Sequence, residues 1–253
     1  MSIFAKDYTQ RVLDGHAATT FKWVDAILTI LPIAIVTVVL SALAKKIYKE
    51  YPLTIIFTGI SFAIIWALGL WKIWKEFGAE QTEVAASWFQ ILNSLFIITL
   101  ASSFGKFWEK VWNPSGPIKF ALGLLLVGLG FAILAYGSMS IPQGAKTASV
   151  SMLWLIVAYF FHTSGELCLS PVGLSYVSKL SPKKLLGLLF GCWFGASAIA
   201  NFIAGLLGST IDKITAEYSM SFFFMIFAIV PAITALILVL LNPMLKRMMH
   251  GIN

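Results

Sequence analysis

Residues 162–182 read HTSGELCLSPVGLSYVSKLSP and place Glu166 about halfway along a run otherwise apolar enough to lie in a membrane. A carboxylate at the bilayer centre costs about 2.5–3.5 kcal/mol on insertion scales. On a helix, Tyr159, His162, Glu166, Ser170 and Gly173 follow a 3-4-4-3 spacing and share one stripe. A polar stripe with a carboxylate at its middle faces a cavity or another helix, not lipid. Pro171 removes a backbone hydrogen bond and frees a carbonyl near Leu167, which predicts a helix bend. A carboxylate beside a bend suits a cation, an amine or a proton. The alternative is a structural glutamate paired outside this chain. His162, one turn before Glu166, reads either as a proton-relay partner or as an imidazole bonded to a neighbouring helix.

The whole composition agrees with a membrane setting. Of 253 residues, 59% are hydrophobic and only 11% charged, with a mean hydropathy of +0.88. A soluble domain carries about 25% charged residues. The net charge of +7 comes from short Lys/Arg clusters between apolar runs, the pattern of topology anchors near anionic lipid. It lacks the basic face with interleaved polar groups that nucleic acid needs, so no nucleic-acid partner is expected. Cys168 and Cys192 both lie in apolar segments and read as small buried hydrophobes. With three scattered histidines there is no metal-ligand spacing, and no metal or cofactor is expected. Residues 1–23 carry Lys6, Asp7, Arg11, Asp14 and Lys22 and lack the apolar core of a secretory signal.

Seven uncharged or nearly uncharged runs are long enough to cross a bilayer: roughly 25–44, 52–72, 86–107, 117–139, 148–179, 184–208 and 219–242. Lys45, Lys46 and Lys49 before Pro52 divide the first two. The cluster Asn113-Pro114-Ser115-Gly116-Pro117 is a turn, Ser181-Pro182 ends the fifth run and Asn242-Pro243 the seventh. Only helices or closed barrels span membranes, and no strand-like alternation competes, so the expected fold class is an all-α integral membrane protein of about seven helices. The Lys/Arg residues divide eleven to seven between the two sides. The richer side holds the C-terminus, which is therefore expected in the cytoplasm, with the N-terminus of this chain outside it.

The first two runs hold little polar beyond Thr and Ser and read as a lipid-facing hairpin. Gln90 and Asn93 in the third share a face and serve either to glue helices or to orient a polar ligand. The sixth run has Gly187, Gly191 and Gly195 in overlapping GxxxG steps, which let another helix approach closely. Trp193 and Phe194 interrupt that surface, and Trp193 lies too deep for an interface anchor. It reads as a pocket wall or as plain packing. No Ser/His/Asp arrangement, HExxH, phosphate loop or paired carboxylate is present, so no enzyme is expected.

The stretch GELCLSPVGLSYVSKLSP resembles the tenth-helix signature of the proton-dependent oligopeptide transporter family, in the major facilitator superfamily. WFQILNSLFIITL is similar to that family's eighth helix, GPIKFALGLLLVGLGFAILA to its ninth, GLLFGCWFGASAIANFIAGLLG to its eleventh, and the final run before PMLKRMM to its twelfth. The resemblance covers about 86–250. Two departures are visible. Ser94 stands where the family has Pro, and His162-Thr163-Ser164 replaces more apolar residues.

The resemblance implies proton-coupled symport of di- and tripeptides across the bacterial inner membrane. It assigns Glu166 to the peptide's free amine and Asn93 to its backbone or carboxylate end, with Ser170, Trp193 and Phe194 lining the pocket. A low-dielectric amine–carboxylate pair is physically sound in that role. The family's first-helix and seventh-helix proton-coupling motifs have no counterpart here, and MSIFAKDYTQ resembles the sequence just after its seventh helix. The expected organisation is therefore a polar extracytoplasmic segment at 1–24, an inserted transmembrane hairpin at 25–75, and five helices of a C-terminal bundle at 86–250. The expected partners are peptides, protons, the lipid bilayer and a missing N-terminal bundle. Substrate would sit at the midplane between two bundles. A truncated, non-transporting fragment and a membrane assembly subunit are the alternatives.

Overall fold

The computed structural model describes residues 1–249. Among the described residues the protein is all-α apart from one two-residue strand pair and an isolated bridge between Thr9 and Val150, and seven helices are long and apolar enough to cross a membrane. They are α1 (Gly15–Ile47), α2 (Pro52–Gly78), α3 (Trp88–Lys110), α4 (Gly116–Gly137), α5 (Met152–Leu180), α6 (Leu186–Ser209) and α8 (Met220–Met248), with a short α7 (Ile211–Glu217) before the last. The chain divides into two compact units: residues 11–84, and residues 1–10 with those from 85 onward.

Two of the turn prolines act as the sequence predicts. Pro52 opens α2, and Pro117 stands in the first turn of α4, where a missing N–H costs nothing. Ser151 and Ser219 cap α5 and α8 by accepting from the backbone N–H of Leu153 and Phe222. Three boundaries differ from expectation by six residues or more, and the first of them is the end of α2, which runs on to Gly78 rather than stopping near 72. The apolar run from 25 is the interior of a helix that starts at Gly15, because residues 15–24 contain no helix breaker. The seventh span does not end at Asn242-Pro243: α8 continues through Pro243 to Met248. Asn242 Oδ1 accepts from Ser115 Oγ at 2.6 Å, tying that turn of α8 to the start of α4. Neighbouring side chains of this kind make a proline tolerable inside a membrane helix.

In the larger unit, α4 is the central helix and packs against both α5 and α8. Glycines set the approach. A Cβ on Gly123 would lie 2.8 Å from the Gly165 carbonyl, and one on Gly165 would lie 2.6 Å from the Gly123 carbonyl. A Cβ on Gly128 would meet the Ala228 carbonyl of α8 at 2.9 Å. Small residues at such crossings allow the backbone contact that drives helix association in lipid. Within the polar segment 1–24, Phe4, Ala5 and Tyr8 are buried, in a π-helical turn at Phe4–Tyr8. Phe4 meets Phe224 edge to face at 5.2 Å, and Tyr8 donates from its hydroxyl to the Ala145 carbonyl. Val150 and Tyr8 bond through their backbones, so residues 1–10 are tied to the α4–α5 connection. By contrast α6 contributes no buried residue, and nothing lies within 4 Å of a Cβ built on Gly187, Gly191 or Gly195. Cys168 is buried as expected, whereas Cys192 is exposed because α6 is so sparsely covered.

The smaller unit is the α1–α2 hairpin with β1 (Val12–Leu13) and β2 (Thr82–Glu83) paired antiparallel at its base. Near that base, Asp25 is buried and its carboxylate accepts from Lys72 Nζ at 2.8 Å. Lys22 Nζ donates to the Ala79 and Phe77 carbonyls, where a cation suits the C-terminal end of α2. An antiparallel hairpin brings the start of its first helix level with the end of its second. The Asp25–Lys72 pair was therefore readable from position, though the hairpin's apolar composition concealed it.

Candidate functional site

The site is built on α3 and α5. Asn93 projects from α3 between two residues of α5, Thr163 and Glu166. Its Oδ1 accepts from Thr163 Oγ1 at 2.5 Å, and its Nδ2 donates to Glu166 Oε2 at 3.3 Å. A carboxylate only accepts and a threonine hydroxyl can donate, so this arrangement fixes the amide's orientation. Thr163 is completely buried, whereas Glu166 is exposed. Among the described residues no cation lies within ion-pair distance of Glu166, and Asn93 is its hydrogen-bond partner. Phe96 and Phe160 meet edge to face at 5.6 Å beside this pair and stiffen the same α3–α5 contact.

The other predicted residues divide into three groups. Ser170 is half-buried and follows Glu166 by one turn; Pro171 is exposed, and α5 runs unbroken through it. Trp193 of α6 lies against Gly173 of α5, where its ring occupies the space a Cβ would need. It lines a cleft of about 690 Å³ together with Tyr176, Leu189 and Leu238, and neither Glu166 nor Asn93 lines that cleft. Phe194 is 61% exposed and does not line the cleft. His162 turns toward α4. Its ring centroid is 4.4 Å from that of Phe131, it fills the space above Gly130, and its Nε2 is buried without a hydrogen-bond partner. The structure thus brings Asn93 and Glu166 together and sets His162 against a different helix.

In the sequence Thr163 stands out only as part of the polar His162-Thr163-Ser164 departure, with no role assigned to it. Its hydroxyl holds the Asn93 amide, and the available signal was its position three residues before Glu166, beside the polar stripe. Among the described residues no group of three His, Cys, Asp or Glu side chains gathers to hold a metal.

Helices long and apolar enough to cross a membrane, with an exposed, amide-held carboxylate at the middle of one of them, define a multi-pass membrane protein. The chain belongs to the POT family, whose profile matches residues 72–226. It is 38% identical over 172 residues to the uncharacterized transporter YclF of Bacillus subtilis, covering 67% of this chain and 33% of that protein. It is 40% identical over 123 residues to the peptide transporter YePEPT of Yersinia enterocolitica, covering 47% of this chain and 24% of that protein. A crystal structure of peptide transporter POT in complex with sulfate superposes with a TM-score of 0.56 at 36% identity, covering 67% of this chain and 33% of that one. A POT family transporter in complex with a thioalcohol-conjugated peptide gives a TM-score of 0.55 at 31% identity, covering 64% of this chain and 32% of that one. The chain spans about a third of the length of the first curated relative it matches.

Proposed function

We propose that this chain supplies the amine-recognising side of a proton-coupled di- and tripeptide symporter and works with a second helical bundle. The observation that carries the reading is Glu166: exposed, with no cation at ion-pair distance among the described residues, and oriented by Asn93. A carboxylate kept at that depth without a cationic partner is matched to a ligand that brings its own positive charge. Asn93, with one amide hydrogen on Glu166, keeps a second for a peptide carbonyl or carboxylate. Ser170 extends the site one turn along α5, and Trp193 of α6 borders its far end at Gly173, while the exposed Phe194 lies outside the cleft that Trp193 lines. The seven steps of rise from Glu166 to Gly173, on which Trp193 rests, cover about 10 Å of helix. An extended di- or tripeptide spans about 7–11 Å. The peptide carriers among its relatives support the substrate class. The bare glycine face of α6 supports the need for a further bundle.

His162 enters the reading only as a second proton site, next to Glu166 in sequence but facing α4. The charge distribution supports a C-terminus on the cytoplasmic side of the inner membrane. Proton-driven dipeptide uptake into vesicles holding the complete transporter tests the function. Glu166→Gln is expected to abolish uptake, and undiminished uptake in that variant would overturn the assignment.

A further inference from the structure

The α1–α2 hairpin is closed at one end and open at the other. From its base to mid-height the helices touch: Asp25 pairs with Lys72, Gly69 sits where a Cβ would be 3.4 Å from Ile33, and Trp66 Nε1 donates to Thr37 Oγ1 at 3.0 Å. Beyond the Trp66–Thr37 bond the helices part and leave a groove of about 470 Å³, lined by Leu40, Ala44, Ile55, Gly59, Phe62 and Ala63 among others. Thr37 and Thr58 donate to the carbonyls four residues back, so these hydroxyls need nothing from whatever fills the groove.

The groove has the depth of one leaflet. Its lining runs from Thr37 to Ile47 on α1 and from Thr54 to Trp66 on α2. At 1.5 Å per residue these lengths are about 15 and 18 Å. Half of a 30 Å hydrocarbon core is about 15 Å. Its lining reaches Ile47 and Thr54, beside the α1–α2 turn, where Lys45, Lys46 and Lys49 are all exposed, with Glu50 as the one acidic neighbour. Tyr48 and Tyr51, both exposed, stand at the same level, where aromatic rings meet headgroups.

We propose that this groove binds one anionic phospholipid, with an acyl chain laid between α1 and α2 down to Trp66 and the phosphate held by Lys45, Lys46 and Lys49. A slot of leaflet depth that ends beside three exposed cations matches that ligand in both length and charge. The assignment is independent of the peptide site, which lies in the other unit.

Native mass spectrometry of the delipidated full chain tests it, with phosphatidylglycerol, phosphatidylcholine and free glycerol phosphate as probes. Phosphatidylglycerol is expected to be retained at least tenfold more tightly than phosphatidylcholine, with no competition from glycerol phosphate. The triple variant Lys45→Ser, Lys46→Ser, Lys49→Ser should lose that preference, while Lys106→Ser with Lys110→Ser keeps it. Gly59→Leu, whose side chain enters open space, should weaken retention of both lipids. Equal retention of the two lipids by the unaltered chain overturns the proposal. So does an unchanged preference in the triple lysine variant, undiminished retention in Gly59→Leu, or competition by glycerol phosphate.

Discussion

Replacing Asn93 by Ala removes both hydrogen bonds that cross from α3 to α5 at the site. The two losses differ in size. Thr163 is fully buried, and a buried donor left without an acceptor costs about 1–3 kcal/mol. Part of that is recovered, because a helical threonine can turn to the carbonyl four residues back. Side-chain pairs in membranes average about 0.6 kcal/mol and reach about 1.7. The Asn93–Thr163 coupling is therefore expected near 1 kcal/mol. The Asn93–Glu166 bond is longer and its carboxylate is exposed, so its coupling is expected below about 0.5 kcal/mol. Double-mutant cycles with Asn93→Ala, Thr163→Val and Glu166→Ala, read by reversible unfolding in mixed micelles, separate the two. An Asn93–Thr163 coupling within about 0.3 kcal/mol of zero lies inside the additivity error and would refute the buried relay. So would a coupling smaller than that of Asn93 with Glu166.

Three further outcomes are expected. Lys72→Met leaves the buried Asp25 carboxylate uncompensated and should destabilise the hairpin by about 1–3 kcal/mol, more than the double variant with Asp25→Asn, as hydrogen exchange of α1 and α2 would register. Gly165→Val pushes a side chain into the Gly123 carbonyl and should cost at least about 1–3 kcal/mol or prevent folding, whereas Gly187→Val on the uncovered α6 face should cost under about 1 kcal/mol; thermal unfolding of the two variants compares them. With both native cysteines replaced by serine, Lys183→Cys and Gln143→Cys should react with a membrane-impermeant maleimide from opposite sides of the membrane, Lys183→Cys from the cytoplasm. Labelling of both from one side would contradict the charge-based topology.

The fold was legible because the bilayer imposes one length scale on every span. Seven apolar runs became seven helices, and Pro52 and Pro117 marked starts that the missing proline N–H explains. What hydropathy could not see were the ends. Residues 15–24 are polar yet helical, and Pro243 sits inside α8 because Ser115 reaches Asn242 across the bundle. Phe4 and Tyr8 were hidden in a charged stretch whose burial depends on α8 and the α4–α5 connection. At the site, the cost of Glu166 and the presence of Asn93 were readable as single residues. Their contact, the role of Thr163, the turn of His162 toward Phe131 and the seating of Trp193 on Gly173 depend on how helices rotate against one another. One sequence does not carry that information.

The central claim is that Glu166 recognises a positively charged amine. Its most direct test is competition between a dipeptide and its N-acetylated form for binding to the complete transporter, in the unaltered protein and in Glu166→Gln. A charge-assisted hydrogen bond is worth about 1.5–3 kcal/mol, so the unaltered protein should prefer the free amine by about 10- to 100-fold. Glu166→Gln should bind the two peptides within about threefold of each other. A variant that keeps the full preference for the free amine would contradict the account.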